Sequence, residues 1–145
     1  MVTIPLHVAS AARTCHVLVG PGALEQYLAG QGAADAEVAA SFLAADEHVL
    51  GLHGNALGHV AKLPSHQLVR GESMKSFAQL EGLLGSLAEA RLDRGSTLFA
   101  FGGGATGDLS GMAASLYMRG IDWVCAPTTL LAQVDASVGG KTAIN

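Results

Sequence analysis

The run Phe101–Gly102–Gly103–Gly104–Ala105–Thr106–Gly107–Asp108 constrains this chain more than any other segment. It joins two patterns. Thr97–Phe101 has the length and apolar continuity of a strand covered on both faces, and the residues from about Ala105 to Met118 read as a helix. A strand-to-helix turn needs one or two glycines. A third in a row strips side chains from a spot that backbone or ligand must approach closely. Gly102, Gly104 and Gly107 also satisfy the spacing G-x-G-x-x-G. Bare N–H groups at such a turn can touch a diphosphate, and the helix start adds partial positive charge. The spacing alone is weak, and its strand–turn–helix setting gives it weight. A tight turn with no ligand is the alternative.

The rest of the chain supplies a frame for that turn. Val2–Ala9 and Cys15–Val19 read as strands, the second closed by Gly20–Pro21–Gly22. Ala23–Leu28 suits a helix ending near Gly30. Val38–Ala45 is a buried-type strand ending at Asp46. Val49–Val60 is a weaker helix interrupted by Gly51, Gly54 and Gly58, and His66–Val69 is a short strand. Phe77, Leu80, Leu84 and Leu87 form one apolar stripe of an amphipathic helix. Ile121–Ala126 is a strand stopped by Pro127, and 128–145 is loop-like with one helical turn. Strands alternating with helices from residue 38 onward predict an α/β fold: a Rossmann-like, mostly parallel sheet with helices on both faces. Residues 1–145 make one domain. The end at Thr142–Ala143–Ile144–Asn145, with no closing helix, reads as a truncation before a partner domain.

Composition removes several function classes. The net charge is −4 and the eight basic residues form no cluster, which argues against a nucleic-acid groove. No apolar run approaches the roughly 18 residues of a membrane span. The first ten residues lack the order of a signal peptide, so a cytoplasmic location is expected. Cys15 and Cys125 lie in apolar runs and are expected to be buried free thiols of a reducing compartment. None of the six histidines has His-Glu-x-x-His spacing, and no complete metal site is expected.

Three further segments follow predicted strands or look built for anions. Arg70–Gly71–Glu72–Ser73–Met74–Lys75 follows the short strand, at the edge where open α/β sheets bind ligands. Glu72 and Lys75 there suit either a nucleotide clasp or a solvated helix start. Asp108, expected in the first helical turn, suits either cofactor hydroxyls or the helix dipole. Thr128 and Thr129 follow Pro127 and offer hydroxyls to a ligand or to a helix cap. Gly139–Gly140–Lys141–Thr142 looks like the tail of a phosphate-binding P-loop. Asp135, however, occupies the place of the first glycine, and no strand directly precedes it, which excludes the NTPase reading. Lys141 still stands where it could reach an anion.

Taken in order, five motifs resemble the 3-dehydroquinate synthase family. They are Gly71–Glu72–x–x–Lys75, Gly102–Gly103–Gly104–x–x–Gly107–Asp108, Tyr117–x–Arg119–Gly120, Pro127–Thr128–Thr129–Leu130–Leu131–x–Gln133–Val134–Asp135 and Ser137–Val138–Gly139–Gly140–Lys141–Thr142. The match is dense over 101–145 and sparser before it. The resemblance implies NAD binding by Asp46, by Arg70, Gly71, Glu72, Ser73, Met74 and Lys75, and by Gly103, Gly104, Ala105, Thr106, Gly107 and Asp108. It extends that role to Thr128, Thr129 and Lys141. It implies that Asp135, Lys141 and Asn145 face the substrate, and that Arg119 helps bind it across a homodimer contact. A divalent metal, zinc or cobalt, is implied in a C-terminal helical domain carrying one Glu and two His, absent from these residues. Where the family often has Asp-x-Asn, this chain has Asp46–Glu47–His48.

The implied reaction turns 3-deoxy-arabino-heptulosonate 7-phosphate into 3-dehydroquinate and phosphate, with transient oxidation by NAD, in the shikimate pathway. The 145 residues alone are expected to be inactive. Two alternatives stay open. One is a sister cyclase of the 2-epi-5-epi-valiolone or 2-deoxy-scyllo-inosose synthase type, which Ser137–Val138–Gly139–Gly140–Lys141 disfavours. The other is a non-catalytic nucleotide-binding domain.

Overall fold

A computed structural model describes residues 2–7, 14–31 and 41–145. Strands β1 (Val2–His7) and β2 (Thr14–Val19) pair antiparallel in a two-stranded sheet of their own. Helix α1 (Ala23–Gln31) follows the Gly20–Pro21–Gly22 turn. The main sheet is formed by β3 (Ser41–Asp46), β4 (Ser65–Leu68), β5 (Thr97–Gly102) and β6 (Asp122–Pro127). All its pairings are parallel, in the order β4-β3-β5-β6. Between these strands run α2 (Glu47–His53), α3 (Phe77–Glu89) and α4 (Gly104–Leu116).

Strand order dictates where the helices go. The chain steps from β3 outward to β4, then returns past β3 to β5 and on to β6. Parallel crossovers are right-handed, so reversing direction moves the connecting helix to the other face. The packing follows. Phe42 and Ala44 of β3 point into a core with Leu80, Leu83 and Leu87 of α3 and Leu109, Ala113 and Ala114 of α4. Leu43 and Ala45 point the other way, onto Leu28 of α1 and onto Leu57 and Val60. Every residue of β3 is buried, as its continuous apolar run requires. The reversal also creates a switch point between β3 and β5. At the carboxyl ends of those two strands the connections diverge and leave a crevice.

The layout expected from sequence holds, with local corrections. Residues 8–9 and 38–40 of the expected strands lie outside the described residues. The helix expected over Val49–Val60 is two pieces, α2 and a 3-10 segment Gly54–Lys62 that kinks at Gly58 (φ 53°). Val69 falls just past β4 and is exposed. Phe77 does not belong to the α3 stripe: it is 75% exposed at the first helical position, and Leu83 takes the buried place. Pro127 does not stop β6 but pairs with Gly102. β6 is an edge strand, so the missing proline N–H breaks no ladder. Cys15 is exposed, contrary to the expectation of burial. Cys125 is a half-buried free thiol, and burial with the nearby Asp108 charge pushes its pKa up to about 11. It stays a thiol rather than a nucleophile. Among the described residues no helix is long and apolar enough to cross a membrane.

Candidate functional site

The crevice at the switch point is a cavity of about 320 Å³. Three strand ends supply its walls. From the end of β3 comes Asp46 and from the start of α2 come His48 and Val49, from the turn after β4 come Arg70, Gly71, Glu72 and Met74, and from the start of α4 come Gly103–Thr106. Thr129, just past β6, completes it.

The floor is the start of α4. Gly103 is the N-cap and makes no side-chain capping bond. The first intrahelical donor to close is Gly107, whose N–H reaches the Gly103 carbonyl at 3.1 Å. The N–H groups of Gly104, Ala105 and Thr106 cannot find intrahelical acceptors and are left for a ligand. Side chains would intrude on this turn. A Cβ at Gly103 would sit 3.4 Å from the Thr129 methyl, and one at Gly104 would sit 3.3 Å from Ala136 Cβ. A side chain at Gly104 would therefore have to push Ala136 aside slightly, while one at Gly103 would only touch Thr129.

The flanks carry acceptors and hydroxyls. Asp46 is buried, and its Oδ1 accepts from the N–H groups of His48 (2.9 Å) and Val49 (3.1 Å), capping α2. Both bonds fall on one oxygen, which leaves Oδ2 for a ligand. Gly71 has φ 88°, a left-handed conformation that glycine accommodates, and it turns the chain into Glu72–Met74. Thr128 N–H donates to the Gly102 carbonyl at 2.8 Å, which continues the β5–β6 ladder past the glycine turn. The Thr128 hydroxyl is buried there with no partner among the described residues. Such an orphan costs stability unless a ligand or water satisfies it. Thr129 Oγ1 accepts from Ala132 N–H (3.2 Å), so it caps the following turn as well as lining the cavity.

Asp108 lines a second cavity and pairs with Lys75, which lines neither cavity. Their side chains meet at 2.9 Å and are 14% and 20% exposed. Lys75 also lies 3.5 Å from the exposed Glu72. The hydrogen bond that Lys75 donates to Asp108 is the main cause that holds the Lys75 pKa above its ordinary value. Asp108 thus lies one turn into α4, not in its first turn, and its partner is Lys75 rather than the helix dipole. The second cavity, about 390 Å³, is lined by Asp108, Asp135, Ala136, Lys141, Thr142 and Ala143. Asp135 sits on a single π turn, Ala132–Ala136, the one helical turn expected in this stretch. Asn145 closes the segment with its N–H on the Lys75 carbonyl at 2.9 Å.

The structure therefore gathers most of the expected site residues at one edge, in two adjoining compartments. Several assignments need refinement: Lys75, Gly107, Thr128 and Asn145 line neither cavity, and Asp108 and Lys141 line only the second. Thr106 turns its side chain away from the cavity floor: it is buried, and its hydroxyl donates to Met74 Sδ at 3.7 Å. Only its N–H is left for a ligand. Ser73 does not line the cavity, and its hydroxyl makes a long bond to the Arg70 carbonyl (3.4 Å). Arg119 is at the far end of α4, about 20 Å from the glycine turn at 1.5 Å per residue. It is exposed and sits at φ 68° beside Met118 at φ 50°. His48 and Val49 were not expected in the lining. The signal was available, since they lie two and three residues after the strand-end Asp46.

Comparison with known proteins agrees with this architecture. A family model described as 3-dehydroquinate synthase N-terminal matches residues 65–145. The 3-dehydroquinate synthase of Rhodospirillum rubrum is 54% identical over 111 residues, covering 77% of this chain and 27% of that protein. The 3-dehydroquinate synthase of Caulobacter vibrioides is 42% identical over 148 residues, covering 99% of this chain and 40% of that protein. The chain thus spans two fifths or less of the curated relatives' length. A crystal structure of 2-deoxy-scyllo-inosose synthase superposes with a TM-score of 0.77 at 25% identity, over 99% of this chain and 41% of that one. The 2-epi-5-epi-valiolone synthase of Streptomyces hygroscopicus subsp. jinggangensis, with NAD+ and Zn2+ bound, gives 0.70 at 27% identity, over 97% and 40%.

Proposed function

The chain belongs to the 3-dehydroquinate synthase family, and from that premise we propose that it is the NAD-binding part of an enzyme converting 3-deoxy-arabino-heptulosonate 7-phosphate to 3-dehydroquinate and phosphate. The observation that carries the reading is the uncapped start of α4, open to the switch-point crevice and adjoined by a compartment holding Asp135 and Lys141.

The residues fit the cofactor. N–H groups of Gly104–Thr106 hold the diphosphate. Asp46 Oδ2 and Glu72 accept from ribose hydroxyls, and the orphaned Thr128 hydroxyl gains a partner. When bound, NAD supplies reversible oxidation of a ring carbinol, which acidifies the neighbouring C–H so that phosphate can leave. In the second compartment the Lys141 ammonium offsets substrate negative charge, while Asp135 and Asn145 orient hydroxyls. Lys75, kept charged by Asp108, holds that carboxylate at the wall of the second compartment.

No group of three or more His, Cys, Asp or Glu that could hold a metal ion occurs among the described residues, so no metal step is derived from this chain. The divalent cation, zinc or cobalt, is assigned to residues outside it, and the 145 residues alone are inactive. The distance of Arg119 from the glycine turn supports its serving a second copy's substrate in a homodimer. The cytoplasm is the assigned compartment.

The solved neighbours favour one second reading, a sister cyclase acting on a different sugar phosphate. Curated relatives at up to 54% identity favour the synthase. The test is NAD+ calorimetry together with phosphate release by the protein as its gene encodes it. Release from the heptulosonate phosphate, and not from a sugar phosphate lacking the carboxylate, is expected. Release from the latter alone would assign a sister enzyme. No heat with NAD+ at about 1 mM, where even a weak site of about −4 kcal/mol is half filled, would overturn the cofactor reading.

A further inference from the structure

Gly104, Gly107 and Gly111 fall at i, i+3 and i+7 of α4 and share one face. That face meets three neighbours in turn. An added Cβ would lie 3.3 Å from Ala136 Cβ at Gly104 and 3.4 Å from the Cys125 sulfur at Gly107. At Gly111 it would lie 3.4 Å from the Trp123 ring and would overlap the Thr142 Cγ2 methyl outright. The first two positions leave room for small adjustment, and the third requires the Thr142 side chain to move. Gly111 is buried in the helix interior, where glycine costs about 1 kcal/mol against alanine. The close approach of Thr142 accounts for that cost.

Thr142 follows Lys141, and both line the second cavity with Asp108 and Asp135. The chain reaches them through Gly139 and Gly140, both in left-handed conformations (φ 101° and 71°). Beyond them Ile144 packs on the core and Asn145 N–H bonds the Lys75 carbonyl. The segment is thus held on both sides of Lys141, by buried Ala132 and by Ala136 beside Gly104 before it and by Thr142, Ile144 and Asn145 after it, and the pin next to the lysine is Thr142 on Gly111.

We infer that Gly111 is a positioning residue for the second compartment. Lacking a side chain, it seats Thr142 against α4 and so sets where Lys141 stands relative to Asp108. The inference rests on reading that compartment as the seat of the sugar-acid phosphate.

The test uses the protein as its gene encodes it, in the variants Gly111→Ala, Thr142→Ser and the two combined. Gly111→Ala is expected to raise KM for the heptulosonate phosphate by about tenfold or more, in keeping with the cost of misplacing a contact by an ångström. NAD+ affinity, set by the other end of the turn, should stay within about twofold, and Asn145 amide exchange should quicken by about tenfold. Thr142→Ser deletes the one methyl that an alanine would strike. The double variant, read against Thr142→Ser alone, should therefore recover both KM and Asn145 protection. Unchanged KM in Gly111→Ala, an equal loss of NAD+ affinity, or no recovery in the double variant would overturn the inference. If no turnover occurs even in the parent protein, the functional reading fails by itself. Asn145 exchange and its rescue then still decide the seating.

Discussion

The two compartments at the carboxyl edge are neighbours, yet they are built by different means. The crevice over α4 is framed by the ends of β3, β4 and β5 and backed by buried Asp46, Met74 and Thr106. The binding groups proposed for it are largely main-chain N–H groups, whose positions the sheet dictates. The second cavity depends on side chains of an exposed segment that leaves the sheet at Pro127 and is tied back at Asn145 to the Lys75 carbonyl, in the turn before α3. Asp135 and Lys141 are both exposed. The contrast teaches that a parallel sheet presets a phosphate cradle almost for nothing, whereas a side-chain site beside it must be tied down contact by contact. Substitutions should therefore separate the two.

The largest separation is expected at Gly104. Valine there would place a branched side chain over the exposed N–H groups and press on Ala136 Cβ, 3.3 Å from the added Cβ. NAD+ affinity should fall by about 100-fold or more, about 2.7 kcal/mol by calorimetry. The thermal midpoint should move by only a few degrees, because no buried contact is lost. Unchanged NAD+ affinity would mean that the cradle is not where the diphosphate sits.

A smaller effect, on stability, is expected at the wall of the second compartment. Asp108→Asn leaves Lys75 charged and partly buried with only the exposed Glu72 nearby, 3.5 Å away. The pair lies between a surface pair and a buried one, so the loss should be about 1–2 kcal/mol at neutral pH by denaturant titration. Its pH dependence has a definite sign. The Lys75 pKa is raised in the folded state above 10.5. The pair's contribution is then complete below the unfolded lysine value and fades as pH rises through the folded one. The parent protein should lose its advantage over Asp108→Asn only above about pH 10.4. An advantage that instead disappeared on acidification from neutrality to about pH 6 would remove Lys75 from the explanation.

Much of this comparison was legible in the sequence, and the illegible part has a physical pattern. The glycine turn, the strand-end acidic residue Asp46 and the turn from Arg70 to Met74 could be placed at the crevice because each combines a local motif with a strand end, and strand ends dictate location. The buried face of α3 was misread at Phe77 because periodicity alone cannot tell a first helical turn, still open to solvent, from the turns behind it. Pro127 was read as a stop because its pairing at a sheet edge depends on strand order, which no local pattern encodes. The seating of Thr142 on Gly111 joins residues 31 positions apart and left no local mark. The role of Thr106 was hidden for a related reason: the motif names the position without saying which way its side chain turns.

That direction yields the smallest expected effect. Thr106 belongs to the cradle by its N–H and to the core by its side chain, which packs under Gly102 and donates to Met74 Sδ at 3.7 Å. Sulfur is a weak acceptor, so this bond stabilises little, and valine nearly reproduces the shape. Thr106→Val should cost about 1 kcal/mol or less, and NAD+ affinity should remain within about twofold, since the hydroxyl never faces the ligand. Thr106→Ser keeps the donor but deletes a buried methyl, and it should cost about as much or slightly more. A valine variant that binds NAD+ tenfold more weakly while melting normally would show that the hydroxyl rotates into the crevice when ligand arrives. The border between cradle and core would then run on the other side of residue 106.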